Sequence, residues 1–170
     1  MHRYFVVMAG ALAVFFAIVL GLGFRADLNR AGVHISAAFF MVICILFLHS
    51  LVVFFLIGSG RSVREEIHTR PWAKPYLARI NDIRLKAFPP AILSMMTGIV
   101  ASWIGAAAHT GVTTTAVHRW TGIGTLVINL VAFAIEWRQL QRNSWMIAEC
   151  QRRLDEEYDA VHGKAAAGAV

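Results

Sequence analysis

The long apolar segments of this chain contain, or end in, four histidines: His34, His49, His109 and His118. An ionisable side chain is costly inside a membrane, so such residues are functional candidates by default. Neutral imidazole is a standard axial ligand of haem iron, and it also suits copper, zinc and iron ions. The first question is therefore which of these histidines could share one ligand.

Haem b is the first hypothesis. His109 and His118 are the preferred pair of axial ligands because they stand at the adjoining ends of neighbouring antiparallel helices, and His34 is the substitute for either. Helix bundles build cofactor sites from inward side chains on facing helices. The sequence lacks a C-x-x-C-H attachment motif, so the haem would be non-covalent. The candidates for binding its propionates are three nearby arginines: Arg25, Arg30 and Arg119.

Two other interpretations remain open for the same histidines. In one of them, His34, His109 and His118 together bind one copper, zinc or iron ion in a three-ligand site with an open position. In the other they bind no cofactor, and backbone carbonyls, water and lipid headgroups satisfy them at the membrane surface. The sequence does not decide among these three interpretations.

His49 is a separate problem because no other histidine lies at its depth in the membrane. It could form part of a proton path with Glu136, as chains of histidine and carboxylate do in pumps. Ser94, Thr97 and Asn129 lie at about the same level and are its candidate hydrogen-bond partners. The alternatives are a histidine that pins two helices, a five-coordinate haem ligand, or a ligand completed by a partner subunit.

Helical periodicity gathers the polar residues of the last two apolar segments into stripes. At about 100° per residue, one face of the last segment carries His118, Gly122, Thr125, Asn129 and Glu136. The preceding segment carries a stripe of small residues that ends in a histidine: Ser94, Gly98, Ser102, Gly105 and His109. Lipid penalises polar faces, so both stripes are expected to face the interior of a helix bundle.

Four segments are long and apolar enough to span a membrane, over residues 4–23, 33–58, 88–108 and 116–137. The chain is 58% apolar and only 15% charged, whereas about a quarter of a soluble domain is charged. A transmembrane helix needs about 20 predominantly apolar residues. The sequence therefore predicts an all-α fold, an integral membrane four-helix bundle.

The basic residues predict the orientation of this bundle. Residues 59–87 carry seven Lys or Arg residues and residues 138–153 carry four, whereas residues 110–115 carry none. Positively charged loops stay on the cytoplasmic side. Both termini are therefore expected in the cytoplasm, and the short loops suit a bacterial inner membrane. This topology, and not nucleic-acid binding, explains the net charge of +6.

The predicted organisation has two parts. Residues 1–143 form the transmembrane bundle, with an amphipathic cytoplasmic loop at 59–87, and residues 144–170 form a cytoplasmic helical tail. Apolar residues recur every seven positions from Leu140, so the fourth helix is expected to continue as a stalk that packs on the loop helices or on another subunit. The last residues, 164–170, are expected to be disordered.

Prolines predict where the loop at 59–87 breaks. The second helix can continue over residues 62–69, and Pro71 and Pro75 then end it. Residues 76–87 read as a short amphipathic segment on the membrane surface. Pro89 and Pro90 then suit the first turn of the third helix, where a missing N–H costs little.

The leading functional hypothesis is a small membrane redox subunit that carries haem b near the outer face and passes electrons to quinone or to a partner protein. Its rival is a cofactor-free scaffold or accessory subunit that docks a partner through its tail. A third hypothesis is an oligomeric transporter or proton channel. A homo-oligomer or a larger membrane complex is expected in each case.

Overall fold

Four α-helices make up the structure, a computed structural model that describes residues 2–25 and 31–167, with side chains for 3–25 and 31–162. The helices are α1 (His2–Phe24), α2 (Ala31–Ile67), α3 (Ala73–His109) and α4 (Thr115–Ala167). The all-α prediction is confirmed for the described part of the chain.

All four helices are long and apolar enough to cross a membrane. Their outward surfaces carry many large apolar side chains, such as Phe39, Phe54 and Trp103, which are 66%, 69% and 77% exposed. A soluble protein seldom exposes so much contiguous apolar surface. The hydrocarbon chains of a bilayer would satisfy these side chains, and the bundle therefore has the surface of a membrane protein.

The helices are arranged as a ring in which α1 and α3 do not touch. Each of these two helices packs against both α2 and α4, and α2 also meets α4 across the centre of the bundle. The inward stripe of α1 shows the periodicity that this packing requires: Phe5, Ala9, Leu12, Phe16 and Val19 are all buried. Residues of α2 and α4 therefore approach one another in the interior.

The two ends of the bundle differ. We call the end that carries His34, His109 and His118 the histidine end. At the opposite end, the extended end, α2, α3 and α4 continue beyond α1. With 53 residues, α4 is about 80 Å long, whereas the hydrocarbon core of a bilayer is about 30 Å thick. The fourth helix is therefore much longer than one crossing of a bilayer requires.

The third helix starts earlier than its prolines predict. It begins at Ala73, with Pro75 in its first turn, and it continues through Pro89 and Pro90 without a break. Proline removes an N–H from the helix interior, which normally kinks or ends a helix. Here α3 packs against α2 and α4 on both sides of these prolines, and the adjacent Ala87 has no exposed surface. Tertiary packing thus overrides the local signal.

Residues 76–87, expected on the membrane surface, are instead the first part of α3. Their apolar stripe of Tyr76, Ile80 and Ile83 is at most 4% exposed because it packs against the other helices of the extended end. Tyr76 Oη donates a hydrogen bond to Glu149 Oε1 at 2.9 Å. The amphipathic pattern of residues 76–87 is present, but its apolar face contacts the other helices and not a membrane surface.

The fourth helix continues unbroken past its predicted span at 116–137, and it packs on α2 and α3. Arg142 Nη2 lies 2.9 Å from Asp82 Oδ2 of α3, and Asn143 Nδ2 donates to Ser59 Oγ of α2 at 3.0 Å. The apolar pattern fades by Tyr158, which is 62% exposed. The helix nevertheless runs to Ala167, into the region expected to be disordered, and residues 168–170 lie outside the described residues.

Candidate functional site

The structure brings His34 and His118 together at the histidine end. Their ring centroids lie 5.9 Å apart, with an angle of 67° between the ring planes. His34 is on α2 and His118 is on α4, the two helices that meet across the bundle centre. Both side chains are half-buried. Two imidazoles thus face each other inside the bundle, at its rim.

Each of these two rings packs against a glycine of one of the other two helices. A Cβ atom at Gly23 of α1 would lie 2.8 Å from His34 Cε1, and a Cβ at Gly105 of α3 would lie 2.8 Å from His118 Cε1. Side chains do not tolerate such distances, so both rings occupy space that only glycine leaves open. At this level, two helices supply histidine and the other two supply glycine.

One ring has a fixed orientation. His34 Nδ1 lies 3.2 Å from the carbonyl oxygen of Val19 on α1. A carbonyl accepts only, so this contact requires a proton on Nδ1, and in the neutral ring Nε2 is then the unprotonated nitrogen. Histidines that bind metals are commonly oriented in this way. His118 Nδ1 is buried and has no hydrogen-bond partner among the described residues.

The preferred pair, His109 and His118, is not brought together. His109 is the last residue of α3 and is exposed, while Gly105, four residues earlier, lies level with His118. At about 1.5 Å per residue, His109 stands about 6 Å beyond that level. Within the described residues, no group of three or more His, Cys, Asp or Glu is placed to hold one metal ion.

The arginines expected near haem propionates are only partly described. Arg119 lies over the ring of Phe24, with Cζ 5.4 Å from the ring centroid. Arg25 is exposed at the end of α1, and Arg30 lies outside the described residues.

A second polar cluster lies deeper in the bundle, around His49 of α2. His49 Nδ1 is 2.7 Å from Glu136 Oε1, and His49 Nε2 is 3.1 Å from Asn129 Oδ1. His49 and Glu136 expose no surface, and Asn129 is 1% exposed. Of the three candidate hydrogen-bond partners, Asn129 contacts His49, and Glu136 contacts it directly as well. Neither ring nitrogen is left free for a metal.

The orientation of the Asn129 amide determines that His49 Nε2 is protonated. Asn129 Nδ2 donates to the carbonyl oxygen of Thr125 at 2.9 Å, so Oδ1 is the atom that faces the imidazole. The opposite amide orientation would set two oxygens against each other. Because Oδ1 accepts only, Nε2 of His49 must carry a proton.

A single proton then lies between His49 and Glu136. With Nε2 protonated, the short contact from Nδ1 to Oε1 needs one proton, on either the nitrogen or the oxygen. The pair is an imidazolium with a carboxylate in the first case, and a neutral imidazole with a carboxylic acid in the second. Both arrangements are neutral overall, and neutrality lowers the cost of burying the pair.

Phe133 is a contact of this cluster that the sequence analysis missed. Its ring stacks on the imidazole of His49, with centroids 5.2 Å apart and 17° between the planes, and Phe5 of α1 packs edge-on against Phe133. Phe133 lies four residues after Asn129, on the polar stripe of α4, which is the signal that could have predicted it. The two rings shield the cluster from lipid.

Two other predicted partners do not reach His49. Thr97 Oγ1 donates to the carbonyl oxygen of Ser94 at 3.0 Å, and Ser94 Oγ is buried with no partner among the described residues. The second oxygen of Glu136, Oε2, is likewise buried and unpartnered. The cluster therefore has one open acceptor position.

Comparisons of this chain with protein families, with curated proteins and with solved structures find no match.

Proposed function

We propose that this protein is a small membrane electron-transfer subunit that binds one haem b between His34 and His118. The supporting observation is the facing of these two imidazoles across the bundle, 5.9 Å apart. Metal–nitrogen bonds are about 2 Å long, so two imidazoles at this separation would be close enough to hold one haem iron between them. His109, preferred from the sequence, has no part in this proposal.

The surrounding residues fit a cofactor at this position. Gly23 and Gly105 let each ring sit back against a neighbouring helix, which keeps the rings apart. The carbonyl of Val19 holds the proton of His34 on Nδ1 and so keeps Nε2 available. The haem would supply one-electron chemistry, and the chain would supply the two ligands and an apolar surrounding that excludes water.

The proposed topology places the histidine end outside and the extended end in the cytoplasm, in a bacterial inner membrane. The charge asymmetry of the loops supports this orientation. Exposed tryptophans support the depth, since Trp120 and Trp137 lie 17 residues apart on α4, about 26 Å along the helix. Tryptophan is enriched at both membrane surfaces. Electrons would pass to quinone or to a partner protein near the outer surface, in a homo-oligomer or a larger complex.

An absorption spectrum tests the haem proposal. Protein purified in detergent from haem-producing cells should show a Soret band that shifts on reduction by dithionite. His34→Ala and His118→Ala should each abolish or shift the band. His109→Ala is the matched control and should leave it unchanged, because His109 is exposed outside the pair.

Three results would contradict this proposal. A band lost in His109→Ala but kept in His34→Ala would restore the pairing preferred from the sequence. Stoichiometric copper, zinc or non-haem iron would indicate the metal-ion site. A colourless protein without these metals would leave the second candidate function, a cofactor-free accessory subunit.

One observation favours that second candidate. The side chains of α4 from Tyr158 onward are exposed, as far as they are described, and Tyr158 and Val161 are 62% and 65% exposed. Exposed apolar residues on a protruding helix suit a docking partner. Deletion of residues 158–170 should then abolish co-purification of the partner while the helical content of the bundle is retained.

A further inference from the structure

We infer that His49 and Glu136 form an intramembrane proton-binding site that exchanges protons with the extended end of the bundle and not with the histidine end. This inference does not depend on the haem. It rests on the contacts of the pair and on the unpartnered oxygen of Glu136. It also rests on the different surroundings of the pair toward the histidine end and toward the extended end.

The pair has room for one more proton. In the neutral pair, one proton lies between Nδ1 of His49 and Oε1 of Glu136, and Nε2 is already protonated. A second proton from water converts the pair into an imidazolium beside a carboxylic acid, with a net charge of +1. The unpartnered Oε2 of Glu136 is the acceptor that this second proton requires. As the Oε2–H bond forms, an O–H bond of a hydronium ion breaks and releases water, and the shared proton resides on His49 Nδ1.

No further charged group of the described chain faces the pair. On α1, the residue beside the cluster is Phe5, which contacts Phe133. On α3, the buried residue at this depth is Ser94. The ion pair of His49 with Glu136 is the only one recorded for either residue among the described side chains. His49 and Glu136 therefore form the proton-binding site together.

Toward the histidine end, hydrogen bonding closes the route. Asn129 is held between His49 and the carbonyl of Thr125, and an amide does not readily release a proton. The single hydroxyl proton of Thr125 is within reach of two carbonyl oxygens, that of Thr121 at 2.9 Å and that of Thr97 at 3.3 Å. The Asn129 amide and the Thr125 hydroxyl thus both donate to backbone carbonyl oxygens, and a carbonyl oxygen has no proton to pass onward.

Toward the extended end, buried polar side chains continue from Glu136. Gln139 and Asn143 are 6% and 2% exposed, and Asn143 donates to Ser59 Oγ of α2. Glu136 itself is one residue before Trp137, which is 42% exposed at the level proposed for the membrane surface. Water needs to penetrate only a short distance to reach Oε2 from this side.

Infrared difference spectroscopy on oriented proteoliposomes tests this inference. A step to acid pH applied at the extended end should raise the C=O stretching band of a protonated carboxyl group. The same step applied at the histidine end should produce no fast change. Glu136→Gln should abolish the band change, and His49→Gln should shift its midpoint. Glu66→Gln, an exposed glutamate of α2, is the control and should leave it intact.

Each other outcome overturns the inference. If Glu136→Gln retains the pH-dependent band, the titrating carboxyl is elsewhere, and if wild-type protein shows no such band, the pair is a fixed structural contact. An equal response from both ends removes the one-sided exchange. A circular-dichroism spectrum like that of the wild type is required of each variant, and His49→Gln provides a second readout if Glu136→Gln does not fold. None of these outcomes depends on the colour of the protein.

Discussion

His49 and Glu136 meet at 2.7 Å although they belong to helices that touch only across the centre of the bundle, and neither side chain exposes any surface. This contact joins α2 to α4 directly. Among the described side chains, it is the one contact between ionisable partners in which both are fully desolvated.

Removal of one partner of this pair should destabilise the bundle. Loss of one member of a buried charged pair typically costs about 3–5 kcal/mol, because the other is left buried without compensation. His49→Leu and Glu136→Met should each cost this much, and the double variant should cost less than either alone. Unfolding of the detergent-solubilised protein by SDS measures these free energies. Ser50→Ala, at the neighbouring half-buried position, is the control and should change stability by less than about 1 kcal/mol.

A methyl group at Gly105 should displace the ring of His118. The new Cβ would lie 2.8 Å from Cε1, so the ring must move, and overpacking of this kind costs about 1–3 kcal/mol. If haem is bound, Gly105→Ala should also shift the Soret band or lower the haem content. Gly124→Ala is the matched control on α4, because nothing lies within 4 Å of its Cβ position. Equal behaviour of the two variants would contradict the assigned packing of His118.

Asp82 should make the extended end sensitive to acid. Hydrogen bonds from Lys86 and then from Arg142 hold the pKa of the Asp82 carboxyl below its usual range, against the opposing effect of desolvation. A depressed folded-state pKa stabilises the fold above the unfolded value of about 3.9, and this contribution is lost as the pH falls through the folded value. Asp82→Asn should therefore lower the melting temperature at neutral pH.

The difference between Asp82→Asn and the wild type should disappear in acid, where the wild-type carboxyl is also protonated. Thermal melts across this pH range measure it. Asp155→Asn, at an exposed position of α4, is the control. A difference that stayed constant down to strongly acid pH would show that the charge of Asp82 is not its cause.

Cys150 should resist thiol reagents in the folded protein. It is 3% exposed, and burial raises the pKa of its thiol to about 11, so almost no thiolate exists at neutral pH. In a Cys44→Ala background, a maleimide should label Cys150 only after denaturation. The control moves the cysteine by one position: the variant carries Gln151→Cys together with Cys150→Ala. This cysteine should be labelled rapidly because position 151 is exposed. Rapid labelling of native Cys150 would mean that α4 separates from α2 and α3.

The sequence by itself determined the elements and their inward faces. Uncharged apolar stretches define four spans because hydrocarbon admits only helices whose backbone is satisfied internally. The period of the helix then places Thr125, Asn129 and Glu136 on one face, and all three are buried as expected. The continuation of α4 followed from its seven-residue pattern and from the absence of a breaker. These features depend on neighbours along the chain.

Tertiary structure decided where α3 begins and which histidines meet. Pro89 and Pro90 remain inside a helix because contacts with two other helices outweigh the local cost of the prolines. Those contacts come from distant parts of the chain, so the residues around the prolines do not reveal them. Periodicity places His109 on the stripe of α3 that carries Gly105, but the side chain is exposed and stands about one turn beyond the level of His118. The packing of α2 diagonally against α4 brought His34 to His118 and His49 to Glu136. Relative height and rotation of helices come from side-chain packing between distant segments, so only the folded bundle fixes them.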